Sequence, residues 1–367
     1  MTNTVIQGLP RWSLAVPPLA FVVLLVTWHR DLGVVLLILV CAGLGAAVIA
    51  AVHHAEVVAH RVGEPFGTLI LALAVTVIEV ALIVTLMVPG GVKAATLARD
   101  TVFAAVMITC NGILGLSLVV GSLRHGTQEF RVRASSSALA VMTALVTLSL
   151  VLPTFTTSAP GPQFSAAQLA FAGVTSLVMY GVFVFVQTIR HRDYFLPVQS
   201  DTDAAEDEEV HAHAPSAKVA LASLGLLFVC LISVVGLAKT VSPRLESAVE
   251  SAGAPLAVVG VVIALLVLLP ETVAAVRAAL RNRLQTSVNL ALGSALASIG
   301  LTLPAVAAVS IALGQPLVLG LGATETVLLA LTLLVSVITL GTGRTTVLQG
   351  IVHLVIFADF LFLAVVP

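Results

Sequence analysis

Two glutamates stand where a carboxylate is costly. Glu79 lies in the apolar run LILALAVTVIEVALIV, and Glu271 lies in VVIALLVLLPETVAAV. At 1.5 Å rise per residue, each sits roughly two-thirds of the way along a helical segment that opens near Phe66 or Pro255. An ionised carboxylate at the centre of a membrane helix costs about 2.5–3.5 kcal/mol on insertion scales, so such a residue marks an ion or proton pathway unless it is a structural pair. The chemistry is reversible occupancy. Burial disfavours the charged form, and either a proton or a bound cation removes that charge. Protons and cations would then compete for Glu79 and Glu271, and a loaded site would move more readily than an empty, doubly charged one.

The two segments overlay without a gap when shifted by 192 residues, so that Ala72 meets Ala264, Val75 meets Val267 and Glu79 meets Glu271. Pro270, directly before Glu271, has no N–H to donate and frees a carbonyl one turn earlier. Thr76 is one turn before Glu79 on the same helical face, as a ligand or a support. Each glutamate segment is followed by a span rich in small and polar residues, MITCNGILGLS and NLALGSALASIGLTLP. Asn111, Ser294 and Ser298 in these spans offer hard oxygen ligands for Ca²⁺ or Na⁺, although small residues also serve close helix packing. His53, Glu56 and His60 share one helical face, either as an amphipathic turn at the membrane surface or as a cation and proton funnel with Glu64 at its mouth.

These residues need elements to position them, and composition says which kind. The chain has 367 residues, 59% hydrophobic and 10% charged, with a mean hydropathy of +1.13. Soluble domains are about 25% charged, and a membrane span needs about 20 mostly apolar residues. The runs predict an all-α integral membrane protein of about eleven transmembrane helices, near 13–28, 33–52, 66–88, 101–122, 136–153, 166–188, 218–239, 255–278, 286–312, 320–340 and 346–366. The N-terminal apolar stretch reads as a retained helix, since no small-residue cleavage site follows it. Cys41, Cys110 and Cys230 sit in apolar runs without disulfide or zinc spacing. The net charge of −1 gives no field for nucleic acid. The expected partners are the lipid bilayer and the cations and protons that would occupy the carboxylates; no cofactor motif is present.

The one hydrophilic stretch, Asp201 to His213, divides six spans from five, as a solvated linker or a cation-sensing loop. Numbered alternately, the loops place 12 of the 17 basic residues on one side and 5 on the other. The positive-inside rule then puts the N-terminus and acidic loop in the cytoplasm and the C-terminus outside, with a bacterial inner membrane as the expected location. An odd number of crossings separates the glutamate spans, so they run antiparallel, as in secondary transporters built from inverted repeats.

GEPFGTLILALAVTVIEVALIV and LLPETVAAVRAALRNRLQTSVNLALGSALASIGLTLP resemble the two alpha-repeats of the calcium/cation antiporter superfamily, and among its members the ChaA-type calcium, sodium or potassium/proton antiporters. The resemblance covers nearly the whole chain. It implies an extra N-terminal helix (1–32), a first inverted five-helix repeat (33–188, motif 63–122), an acidic cytoplasmic linker (189–217) and a second repeat (218–367, motif 255–312). Where vacuolar-type exchangers carry Gly-Asn-x-x-Glu, this chain keeps both acids but has Val75-Thr76 and Val267-Leu268 in place of Gly-Asn, and it keeps Gly293-Ser294. Glu325 resembles an acidic position in a late helix of those exchangers, a candidate gate or proton relay if it is not a helix cap. The resemblance implies exchange of Ca²⁺, Na⁺ or K⁺ for H⁺ by alternating access. The alternatives are a Na⁺ or K⁺/H⁺ antiporter with little Ca²⁺ activity, and a cation channel. An intramembrane enzyme is disfavoured, since neither GxSxG nor HExxH occurs.

Overall fold

The computed structural model describes residues 9–28, 30, 33–63, 66–90, 95–195, 215–251 and 253–367. Glu64 and the acidic stretch 201–213 lie outside them. The described chain is almost wholly helical: α1 (Arg11–Thr27), α2 (Val34–Val62), α3 (Phe66–Gly90), α4 (Leu97–His125), α5 (Val132–Phe155), α6 (Ala166–Arg190), α7 (Ala217–Ser251), α8 (Ala257–Val267), α9 (Leu269–Leu280), α10 (Leu284–Leu313), α11 (Ala323–Leu340) and α12 (Val347–Val365). Eight of these are long and apolar enough to cross a membrane, and nine if the bent pair α8–α9 counts as one span; Arg11–Thr27 and Ala72–Met87 are shorter apolar helices.

Local chemistry sets the ends. Ser165 and Gln168 form a reciprocal capping box at the start of α6, as do Thr346 and Gln349 at α12, each satisfying two of the amides that a helix start leaves unpaired. Gly314, at φ 63°, ends α10 in the left-handed region that suits glycine. Two helices outrun their expected spans: α2 continues through the polar HHAEVVAH, and α7 extends to Ser251.

The chain forms two compact units. The first, Met1–Leu82 with Gln199–Leu245, holds α1, α2, most of α3 and most of α7. Here α1 packs along α2. Gly43 and Gly236 let α2 and α1 approach α7: a methyl at Gly236 would sit 2.5 Å from a Leu24 methyl, and one at Gly43 3.6 Å from Leu237.

The second unit, Ile83–Val198 with Glu246–Pro367, is built around α4 and α10. At the C-terminal end of α4, His125 Nε2 lies 2.8 Å from the carbonyl of Leu280, the last residue of α9; the second half of α4 packs on the first half of α10 and its first half on the Ser298–Thr302 turn, so the two helices run antiparallel. Each carries a π-helical turn near its middle, Ile108–Ile113 in α4 and Ser298–Thr302 in α10, and the helices touch through these turns. Around this pair, α8 follows the first half of α4 and α9 the second, α12 lies along the second half of α4, and α5 and α6 pack on α10. At one end a two-residue antiparallel ladder joins β1 (Gln128–Glu129) to β2 (Arg344–Thr345).

Candidate cation site

Pro270 produces the break that its chemistry demands. α8 ends at Val267, α9 begins at Leu269, and their axes differ by 53°. Position 270 offers no N–H to the carbonyl four residues earlier. That carbonyl is Leu266's; at the joint itself the Leu268 carbonyl takes both the Thr272 N–H at 2.9 Å and the Thr272 hydroxyl at 2.7 Å. Glu271 therefore stands in the first turn of a half-helix, half-buried, where the positive end of the helix dipole favours a carboxylate. α9 lies against α10 and against α4, including its π turn. Ser298 is buried at the start of the α10 π turn and Ser294 is half-buried one turn before it.

In the first unit, Glu79 is 2% exposed and Thr76, one turn earlier, is also buried. Their helix runs unbroken from Phe66 to Gly90. The gapless overlay thus pairs a continuous helix with a broken one, because Ile78 stands where the second segment has Pro270.

Asn111 is fully buried in the α4 π turn, and both ends of its amide are engaged. Nδ2 donates to Thr332 Oγ1 at 2.8 Å, and Oδ1 lies 3.0 Å from His353 Nδ1. Sequence reasoning missed His353 and Thr332, which bond it, and Thr339, which bonds His353 in turn. It also missed Asp100, buried in the first turn of α4, for which the sequence offered only an Arg99-Asp100 pair at a span end. Asp100 receives Arg99 Nη2 at 2.7 Å and Thr96 Oγ1 at 2.9 Å, while Arg99 Nη1 reaches the Gly320 carbonyl at 3.1 Å. Glu325 is in the first turn of α11, half-buried, its carboxylate over Gly322 and within electrostatic reach of Asp100. On α2, Glu56 and His60 are exposed, whereas the His53 ring turns towards Trp12 with centroids 4.9 Å apart. Its neighbour His54 is buried, with Nε2 2.8 Å from the Ser13 carbonyl.

The profile of the sodium/calcium exchanger protein family matches residues 32–189 and 222–366. The chain belongs to this family. As a member of the sodium/calcium exchanger family, it is a transporter homologue of the cation/proton antiporters. It is 53% identical over 98% of its length to the putative ionic transporter y4hA of Sinorhizobium fredii, 97% of which is covered. It is 38% identical over 95% of its length to the sodium-potassium/proton antiporter ChaA of Escherichia coli, 94% of which is covered. Among solved structures, native YfkE shares the fold with a TM-score of 0.73 at 18% identity, covering 97% of this chain and 99% of that one. An H⁺/Ca²⁺ exchanger, CAX, shares it at a TM-score of 0.65 and 13% identity, covering 95% and 87%. The family profile leaves out α1 and residues 190–221.

Proposed function

We propose that this membrane protein exchanges a cation for protons by alternating access, with Glu79 and Glu271 as the carboxylates for which the two compete. The observation that carries the reading is the broken pair α8–α9. It presents the Glu271 carboxylate at the start of a half-helix, beside two antiparallel spans that each have a π turn at mid-length. Discontinuous helices near mid-membrane are where secondary transporters bind ions, and π turns recur at functional positions. Thr76, Ser294 and Ser298 would supply neutral oxygens. The antiparallel α4–α10 pair also supports the inverted-repeat layout, with α1 as the extra helix.

Two carboxylates suit Ca²⁺, because hard divalent ions take anionic oxygen ligands. A second reading, Na⁺ or K⁺/H⁺ antiport with little Ca²⁺ activity, is favoured by the Escherichia coli relative, which is named for sodium and potassium. In either case the basic end of the second unit faces the cytoplasm of a bacterial cell.

The test uses the full chain in liposomes with an internal pH dye and an imposed proton gradient, challenged in turn with Ca²⁺, Na⁺ and K⁺. A pH response to one ion names the substrate. Glu79→Gln and Glu271→Gln should each lose the response by at least about 100-fold, the equivalent of about 2.7 kcal/mol. Full proton-coupled exchange in either variant would refute the assignment, and cation flux without a pH response would favour a channel.

A further inference from the structure

We infer that His353 is a positioning residue for cation exchange, fixing the Asn111 amide through a one-directional hydrogen-bond chain across three helices; this rests on the antiport reading above. The chain begins on α11, where Thr339 Oγ1 lies 3.1 Å from His353 Nε2. It passes through the ring to Nδ1, 3.0 Å from Asn111 Oδ1 on α4. Asn111 Nδ2 then returns it to α11 by donating to Thr332 Oγ1 at 2.8 Å, and Thr332 Oγ1 donates to Met107 Sδ at 3.4 Å. Asn111, Thr332 and His353 are completely buried and Thr339 nearly so.

The donor inventory fixes the direction. With the Asn111 NH₂ committed to Thr332, its oxygen is what faces the imidazole, so His353 Nδ1 carries the hydrogen and Nε2 accepts from the Thr339 hydroxyl. Every link is satisfied without water, which makes such a network rigid and specific.

Packing holds the ring in place. α4 and α12 approach so closely that a methyl at Gly115 would sit 2.9 Å from His353 Cβ, and one at Gly350 would sit 2.9 Å from the Gly115 carbonyl oxygen. The π turn Ile108–Ile113 carries Asn111, and α9, with Glu271 in its first turn, packs on the same stretch of α4. The amide whose type suggested a cation ligand is thus taken up by protein partners. Its consequence is the shape of the α4 surface against which the Glu271 half-helix rests.

The experiment measures half-saturating cation concentration and maximal rate in the liposome assay, using whichever cation drives the parent. His353→Leu should raise half-saturation by about tenfold while changing maximal rate much less. His353→Asn, whose amide can donate from nearly the Nδ1 position, should restore both values and keep the parent's pH profile. In a double-mutant cycle, His353→Leu should add nothing once Asn111→Ala is present, because coupled residues are not additive. Parent-like kinetics in His353→Leu, additive effects in the cycle, or a shifted pH profile in His353→Asn would each overturn the inference, the last by making imidazole titration the working property. If His353→Leu does not elute as a folded species, Thr332→Val frees the same amide and must raise half-saturation, and unchanged kinetics there would equally overturn it. A parent silent to every cation refutes the antiport reading and the role of His353 with it. An active parent matched by His353→Leu refutes the positioning role alone.

Discussion

A carboxylate buried in an apolar run announces itself, and a buried hydroxyl does not. Glu79 and Glu271 stand out as candidates because few acids interrupt these runs, and each one demands a reason. Thr76 and Ser298 become candidates only by their position relative to those acids. If they supply neutral oxygens, Thr76→Val and Ser298→Ala should weaken apparent cation affinity by several-fold, on the order of one lost hydrogen bond or ligand at about 0.5–1.5 kcal/mol. Maximal rate should survive, and a titration of cation against the pH response would separate the two. His353 was not legible. Its partner Asn111 lies 242 positions away, and one histidine in an apolar helix carries no spacing that would suggest it. Asp100 was concealed differently: beside Arg99 it reads as a solvated pair at a loop, whereas the fold buries it.

The elements divide along the same line. The bend before Glu271 followed from Pro270, because a missing N–H is a local property of one residue. Pro270→Ala restores the N–H and should straighten the α8–α9 joint, reducing exchange while thermal stability holds or rises; undiminished exchange in a folded variant would mean that the break is dispensable. The π turns had no such signature. Their residues, ITCNGI and SIGLT, are compatible with ordinary α-helix, and the widened turn depends on neighbours. Gly300 in the second π turn is one place where the neighbour can be named: a methyl there would meet the Tyr180 side chain at 2.5 Å. Gly300→Ala should therefore cost about 1–3 kcal/mol through overpacking, read as a lowered melting temperature in detergent. The helix that carries the expected second span outruns it for a related reason. HHAEVVAH is polar enough to leave the bilayer, yet it remains good helix and packs on α1 through His53 and His54.

At the scale of the molecule, the alternation of basic loops carries the proposed orientation. In the second unit, one end gathers Arg124, Arg131, Arg281, Arg283 and Arg344 on the connections around the β1–β2 ladder. The opposite end carries Arg99 and the linked backbones of Ala95 with Val318 and of Pro162 with Gly320. With Cys41, Cys110 and Cys230 replaced, a single cysteine at Ser158 should react with a membrane-impermeant maleimide in intact cells, and one at Arg283 should react only after lysis. The reverse pattern would invert the proposed orientation. The ladder itself has a mechanical consequence. Gln128 pairs with Thr345 and Glu129 with Arg344, while the buried Gln128 side chain reaches the Ala279 carbonyl and Asn282. Three inter-helix connections are therefore clasped at one end of the unit, as a fulcrum would be. A lever such as α4, with 29 residues, is about 43 Å long. A tilt of about 5° about the clasp would swing its far end by about 4 Å, enough to admit or exclude a cation. Such a swing would have to break the Ala95–Val318 and Arg99–Gly320 bonds at the far end while the clasp holds.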